Sequence, residues 1–295
     1  MDISFDLYKI FYYVAKELSF SQAADQLYIS QSAVSQSIKA LEDKLNCKLF
    51  YRHTKQVRLT QEGEMLFQHI EQAFHFIKRG ERTIEEIHSL EVGEVRIGAS
   101  DTICKYYLLP YFERFHRLYP HIKMHVTNRT SPVCIELLKK GSIDVAVVNL
   151  PQGFHDKMIE IQDKRTVQDV FIAGDRFHSL KDKTITLQEL SNYPLLLLEK
   201  NSTTRPFFDG YTKENNVHIA PEIELGSIDL LVELTKIGLG ISFVVQEVAE
   251  ESLKRNEIFL VQVHEKIPSR DLGIITNSSI PIPIAARKFI ELLLR

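Results

Sequence analysis

Cysteine is scarce in this chain of 295 residues, and what there is does not pair: Cys47, Cys104 and Cys134 are odd in number, far apart, and form no C-x-x-C. That excludes a disulfide framework and gives no zinc-ligand spacing, so reduced thiols, buried or half-buried, are expected. Long apolar runs are missing as well. No stretch of 18 or more apolar residues occurs and the first residues show no charged-then-apolar pattern, so the expectation is a cytoplasmic protein with neither membrane span nor export signal. Catalytic signatures are also absent, with no G-x-S-x-G, no H-E-x-x-H and no Walker loop. The stretch GLGISF at 238–243 begins like a dinucleotide fingerprint, but Phe243 stands where the third glycine belongs and an apolar strand follows instead of a helix. The eleven histidines have no metal-ligand spacing. No enzyme activity, cofactor or metal is expected.

What is present starts with a concentration of charge. The formal net charge is only -3, yet residues 39–58 hold six basic side chains (Lys39, Lys44, Lys48, Arg52, Lys55, Arg58) against Glu42 and Asp43. Just before this patch, Val34, Ile38, Leu41 and Leu45 fall on one face at helical spacing, while Ser32, Ser35, Gln36 and Lys39 fall on the opposite one. Ala23, Ala24 and Leu27 mark a shorter helix upstream, and Tyr28-Ile29-Ser30 supplies a tight turn with Ser30 as N-cap. Two helices joined in this way, the second with an uncharged hydrogen-bonding face, form a helix-turn-helix that can enter the major groove of double-stranded DNA. The candidate base-reading residues are Gln31, Ser32, Ser35 and Gln36, with Lys39 a further candidate DNA contact. Lys55 and Arg58, on a two-stranded wing closing at Thr60, are placed to neutralise phosphates, and Arg52 is a further candidate for phosphate contact.

From about residue 5 to residue 63 the chain resembles the DNA-binding domain of the LysR-type transcriptional regulators. The match rests on Phe11, Ala15, Ser19, Ala23, Ala24, Leu27, Ser30, Gln31, Val34, Ser35, Ile38, Leu41, Glu42, Leu49, Phe50, Arg52, Leu59, Thr60 and Gly63. Ser32 departs from it, standing where the family often has proline. Downstream, residues 64–90 read as one long helix in which Leu66, Ile70, Ala73, Ile77, Gly80, Ile84 and Ile87 recur at alternating steps of four and three. Such a seam suits pairing with a second copy, or packing of a single helix on its own domain. Acidic residues outnumber basic ones by seven to three over 61–91, so contact of this helix with DNA is not expected. The resemblance implies a linker helix that pairs two DNA-binding domains, in a homodimer or in a homotetramer.

Beyond Glu94 short apolar strands alternate with helices, which points to an α/β sheet with parallel pairs. Strands are expected at 95–99, 122–126, 143–149, 168–173, 194–198, 219–224, 241–245, 258–262 and 271–277. The phrases VRIGAS, LLPYFERFHRLYP, LLKKGSIDVAVV and LVELTKIGLGISFVV resemble the effector-binding region of the same family. The expected fold class is therefore α/β: a winged helix-turn-helix over 1–63, a dimerisation linker helix over 64–91, and a two-subdomain, periplasmic-binding-protein-like effector domain over 92–295. Subdomain I would take 92–162 and 267–295, and subdomain II 163–266. A small-molecule effector should lie between them, beyond the carboxyl ends of strands where helices begin. Ser100, Thr102, Thr130, Ser131, Asn149, Ser202, Thr203, Thr204 and Ser227 hold such positions, and hydroxyls near helix N-termini suit an anion such as a carboxylate. Each hydroxyl taken singly also fits a plain helix cap. Arg205 would supply a counter-charge or form an internal salt bridge. A solute-binding protein of the same two-lobed design is the alternative, and the ninety N-terminal residues with a DNA-binding pattern speak against it.

Overall fold

The structure is a computed structural model that describes residues 3–53, 56–88, 93–151 and 153–295. It divides into two compact units, 1–82 and 83–295.

The first unit begins with three helices whose limits are set by polar caps. α1 (Phe5–Glu17) starts at Ser4, α2 (Phe20–Leu27) at Ser19 and α3 (Gln31–Leu45) at Ser30, each serine accepting a backbone N–H from the first turn. All three end on a residue in the left-handed region: Leu18, Tyr28 and Asn46. Tyr28 makes the sharp turn into α3 and is 95% exposed. The apolar faces of the helices converge in a core of Phe11, Val14, Ala23, Val34, Ile38, Leu41, Leu49 and Phe50. Two strands, β1 (Phe50–His53) and β2 (Gln56–Leu59), pair antiparallel with Phe50 opposite Leu59, forming the expected wing. Glu42 anchors the passage from α3 to the wing: its buried carboxylate accepts Leu49 N–H at 2.9 Å and pairs with Lys48 at 3.0 Å. On the far side of the wing, Thr60 donates to the Lys48 carbonyl at 2.6 Å and accepts Gly63 N–H at 3.0 Å. Only glycine fits at 63, since a Cβ there would lie 2.1 Å from the Leu49 carbonyl oxygen.

α4 (Gln61–His88) carries the apolar seam, and the structure divides it. Leu66 and Ile70, together with Phe67, pack on the core of the same unit, and Phe74 stacks on Tyr12 at 4.5 Å and Phe5 at 5.5 Å. Ile77 and Ile84 are exposed at 43% and 58%. The side chain of Ile87 lies outside the described residues.

The second unit holds two sheets. The first lobe has β3 (Gly93–Ala99), β4 (Ile122–Asn128), β5 (Val145–Leu150), β6 (Ile159–Val167) and β13 (Arg270–Asn277), in the order β4-β3-β5-β13-β6. The second has β7 (Asp169–Gly174), β8 (Thr184–Ile185), β9 (Leu195–Leu198), β10 (Ile223–Leu225), β11 (Ile241–Val245) and β12 (Ile258–Val263), in the order β10-β9-β11-β7-β12-β8. The pairs β4–β3, β3–β5, β10–β9, β9–β11 and β12–β8 are parallel, and β7 and β13 run antiparallel to both their neighbours. The chain leaves the first sheet after Val167, enters the second at Asp169, and returns between Val263 and Arg270.

Helices cover both faces of each sheet. In the first lobe α5 (Asp101–Ile103) runs through a π-helical turn, Cys104–Leu108, into α6 (Leu109–Leu118), and α7 (Ser131–Lys139) follows β4. In the second lobe a 3-10 turn, Asp175–Leu180, precedes α8 (Leu187–Leu190), α9 (Thr204–Glu214), α10 (Ile228–Lys236) and α11 (Gln246–Lys254), and α12 (Ile284–Leu293) returns to the first. The run LLLL in β9 shows why these strands read as continuous apolar stretches: Leu195 and Leu197 enter the cluster with Phe208 and Phe243, while Leu196 and Leu198 enter the one with Leu231 and Val244.

Two strands differ from the sequence expectation by being there at all. β6 is the edge of its sheet and reads IEIQDKRTV, a half-polar sequence that needs only one apolar face. β8 has only two residues. The strand expected at 219–224 is confined to Ile223–Leu225, although Ile219 is buried.

Candidate functional site

In the first unit the polar face of α3 stands clear. Gln31, Ser32, Gln36 and Lys39 are exposed and Ser35 is half-buried, while Val34, Ile38 and Leu41 on the other face are fully buried. Gln31 donates from its amide to Ser35 at 3.1 Å, and Ser30 and Ser32 share a hydrogen bond of 2.9 Å. Of the wing candidates, Arg52 lies in β1 with its side chain outside the described part, and Lys55 lies outside the described residues altogether. Lys48, counted in the basic patch, is tied to Glu42.

In the second unit a cavity of about 420 Å³ opens between the two sheets. Among the candidates, Ser100, Thr102, Thr130 and Asn149 line it from the first lobe, and Ser202, Thr203 and Thr204 from the second. The strand-end rule brings them together because β3, β5 and β9 all point their carboxyl ends at this space. Ser131 and Ser227 do not line it. The Ser131 hydroxyl is buried and accepts Asn149 N–H at 3.0 Å, and Ser227 caps α10 through Leu230 N–H at 3.3 Å. Ser100 and Ser202 also cap, toward Ile103 and Arg205 N–H. Thr130 and Thr203 occupy N-cap positions but make no side-chain capping bond, which leaves their hydroxyls to the cavity.

Sequence reasoning passed over several cavity residues: Tyr106 and Tyr107 in the π-helical turn, Glu199, Glu247, and Arg270 at the start of β13. Nothing local marks Arg270, whose carboxylate partner Asp169 is 101 residues away. Of the two roles open to Arg205, it takes the internal one, bonded to Asp209 at 2.8 Å and Glu224 at 2.9 Å. Between the lobes, Asp229 on α10 accepts Lys105 Nζ at 2.8 Å and the Tyr106 hydroxyl, linking the first lobe to the second. Burial alone would raise the Asp229 carboxyl, but these two hydrogen bonds and the Lys105 charge together hold it below its ordinary range. The three thiols shift the other way: burial pushes Cys47 and Cys134 up, and Cys104 up to about 11, with Asp101 adding to the effect at Cys104.

Residues 88–295 match the family described as LysR substrate binding domain, and residues 5–64 match the bacterial regulatory helix-turn-helix protein, lysR family. The chain belongs to the LysR family of transcriptional regulators. It carries the family's DNA-binding helix-turn-helix and effector-binding domain. This LysR-family regulator is 30% identical over 278 residues to a probable RuBisCO transcriptional regulator of Thalassiosira pseudonana, an alignment covering 91% of this chain and 90% of the relative. The corresponding figures for the protein of the same name in Cyanidioschyzon merolae are 29% identity, 94% and 93%. Among solved structures, a full-length OxyR variant from Pseudomonas aeruginosa aligns with a TM-score of 0.73 at 21% identity, covering 99% of this chain and 95% of that one. Full-length CbnR complexed with its target DNA aligns with a TM-score of 0.67 at 21% identity, covering 99% of both chains. At that identity the likeness concerns the fold. No helix among the described residues of this LysR-family regulator is long and apolar enough to cross a membrane.

Proposed function

We propose that this regulator reads its operator with Gln31, Ser32, Ser35, Gln36 and Lys39, that Arg52 and Lys55 neutralise phosphates, and that a small anionic effector binds in the cavity between the lobes. The exposed polar face of α3, opposite a fully buried apolar one, supports the first part. The observation that carries the effector site is the meeting of seven polar residues, singled out by their positions at strand ends in both lobes, around one cavity, of a size usual for small-molecule sites. An effector that prefers one degree of lobe closure shifts the population toward it, and through the linker helix changes how paired DNA-binding domains meet the operator. The exposed Ile77 and Ile84 support pairing through α4 in a homodimer, or in a tetramer of two such dimers. The protein would work in the cytoplasm without catalysis.

The test begins with a thermal-shift screen of small acids and amino acids, since a ligand of the folded state stabilises by mass action. Thr102→Ala and Thr203→Ala should then each weaken binding of the best hit in calorimetric titration, by about 1.5–3 kcal/mol if the hydroxyl bonds a charged group, with folding and basal DNA binding retained. If both variants bind it like the parent protein, the effector site is elsewhere.

A further inference from the structure

The three helices that open the DNA-binding unit all end in the left-handed region, but their end residues are not equally suited to it. Asn46 tolerates that conformation, as glycine would. Tyr28 has φ 55° and ψ 40°, where a bulky side chain is out of place. The turn needs this backbone conformation, because the Tyr28 N–H reaches back to the Ala24 and Asp25 carbonyls. It does not need the ring. Leu18 shares the conformation, but about half of its surface is covered by the protein. The Tyr28 side chain is 95% exposed and makes no hydrogen bond or ring contact with the described residues. The fold therefore holds a strained aromatic that contributes nothing to its own packing, and strain of this kind gathers where a residue serves binding. The neighbours of the ring show which surface it belongs to. Tyr28, Ile29, Ser30, Gln31 and Ser32 are five consecutive exposed residues, a strip that runs unbroken from the turn onto the first turn of α3. It continues the polar face of the second helix of a DNA-binding helix-turn-helix.

We propose that Tyr28 is a DNA-contact residue, its hydroxyl donating to a phosphate oxygen at the edge of the groove that α3 enters. The proposal rests on α3 presenting its first turn to the DNA. Three residues of chain span at most about 10 Å, so Tyr28 stays within that distance of Gln31. The major groove is roughly 12 Å wide. With Gln31 at the base edges, a side chain standing off the preceding turn meets the sugar–phosphate wall, and tyrosine is among the side chains that donate to phosphate oxygens. A phenol carries no positive charge, so this contact fixes the position of α3 on the duplex without releasing a counterion. That separates it from the contacts assigned to Arg52 and Lys55. It also gives the left-handed tyrosine a purpose: a residue better suited to the turn, such as asparagine, has too short a side chain to reach the wall.

The experiment compares the full-length parent protein with Tyr28→Phe and Tyr28→Asn by fluorescence anisotropy over a series of salt concentrations. Two labelled duplexes are used: one of random sequence, and the tightest binder that the parent protein selects from a random pool. Tyr28→Phe loses only the hydroxyl and should weaken binding to both duplexes by the same factor, roughly fivefold, with the salt dependence unchanged. Tyr28→Asn should weaken binding at least as much while its Tm rises, since asparagine relieves the left-handed strain. A merely structural role would move affinity and Tm in the same direction. Unchanged affinity in both variants, a loss confined to the selected duplex, a flatter salt dependence, or a Tm that falls together with affinity in Tyr28→Asn would each overturn the proposal. So would a change in assembly size by light scattering, which would assign the exposed ring to a protein contact. Gln36→Ala separates this proposal from the reading beneath it. If Gln36→Ala discriminates between the duplexes and the Tyr28 variants bind like the parent, only the tyrosine contact falls; if none of the three alters binding, α3 is not the element at the DNA.

Discussion

Removing the Asp229 carboxylate should loosen the two lobes in the absence of any ligand. Asp229 lies 124 residues from Lys105 in the chain and accepts its ammonium at 2.8 Å, together with the Tyr106 hydroxyl. The Tyr106 ring also packs on the apolar cluster of the second lobe. The ion pair is half-exposed, with side chains 52% and 38% accessible, so screening reduces it to about 0.5 kcal/mol. The phenol–carboxylate bond contributes about 1.5 kcal/mol, the low end for a charged acceptor because Asp229 is partly in water. Asp229→Ala should therefore shift lobe closure by about 2 kcal/mol, or roughly 30-fold. Asp229→Asn keeps an acceptor for Tyr106 and should cost only a few-fold. Amide hydrogen exchange over Cys104–Leu108 and Ile228–Leu231 reads the effect directly. The pH dependence has a definite sign. The carboxyl is held below its ordinary range, so its contribution is complete above the unfolded value of about 3.9 and is lost as pH falls through the lower folded value. At neutral and mildly acidic pH only the variants should exchange fast. Exchange in Asp229→Ala equal to the parent at neutral pH would show that these contacts do not hold the lobes together.

Three other outcomes are expected. Gln36→Ala should weaken cognate operator binding by roughly 1–3 kcal/mol more than binding to random DNA, measured by fluorescence anisotropy; equal losses on both DNAs would remove Gln36 from base reading. Replacing both Ile77 and Ile84 by Asp puts charge on the exposed part of the α4 seam without touching the Leu66 and Ile70 side chains that pack on the core. Light scattering should then show smaller assemblies and operator binding should fall, whereas full size with intact binding would place pairing elsewhere. Cys104, with its thiol pushed up to about 11, should be alkylated by iodoacetamide near neutral pH roughly 100-fold more slowly in the folded than in the denatured protein. Equal rates by mass spectrometry would contradict the burial that sets this value.

The residues that declared themselves in the sequence are those governed by near neighbours along the chain. Helix α3 was legible because Val34, Ile38 and Leu41 repeat with the helical period and Ser30 stands where a cap is needed, and both are short-range matters of backbone geometry. Thr102, Thr130 and Thr203 were singled out by a positional rule, since each follows a strand that can be recognised from its own apolar run, and Asn149 stands near the end of one. β6 was not legible, because an edge strand covered on one side tolerates the charges of Asp163, Lys164 and Arg165. Ser131 and Ser227 satisfy the same rule as their neighbours, but their hydroxyls are taken by backbone N–H groups.

For this protein the sequence alone determined the order of its parts, the polar face of α3 and the family to which it belongs, all carried by local periodicity and by motifs a few residues long. Tertiary structure decided which turns of α4 serve the core and which remain exposed, since a heptad seam fixes a face and not its partner. It alone joined Lys105 and Tyr106 to Asp229, and Asp169 to Arg270, across more than a hundred residues. A single charged side chain carries no record of the partner that will neutralise it; that depends on where two crossing segments bring distant strands together, and on the low dielectric they create around the pair.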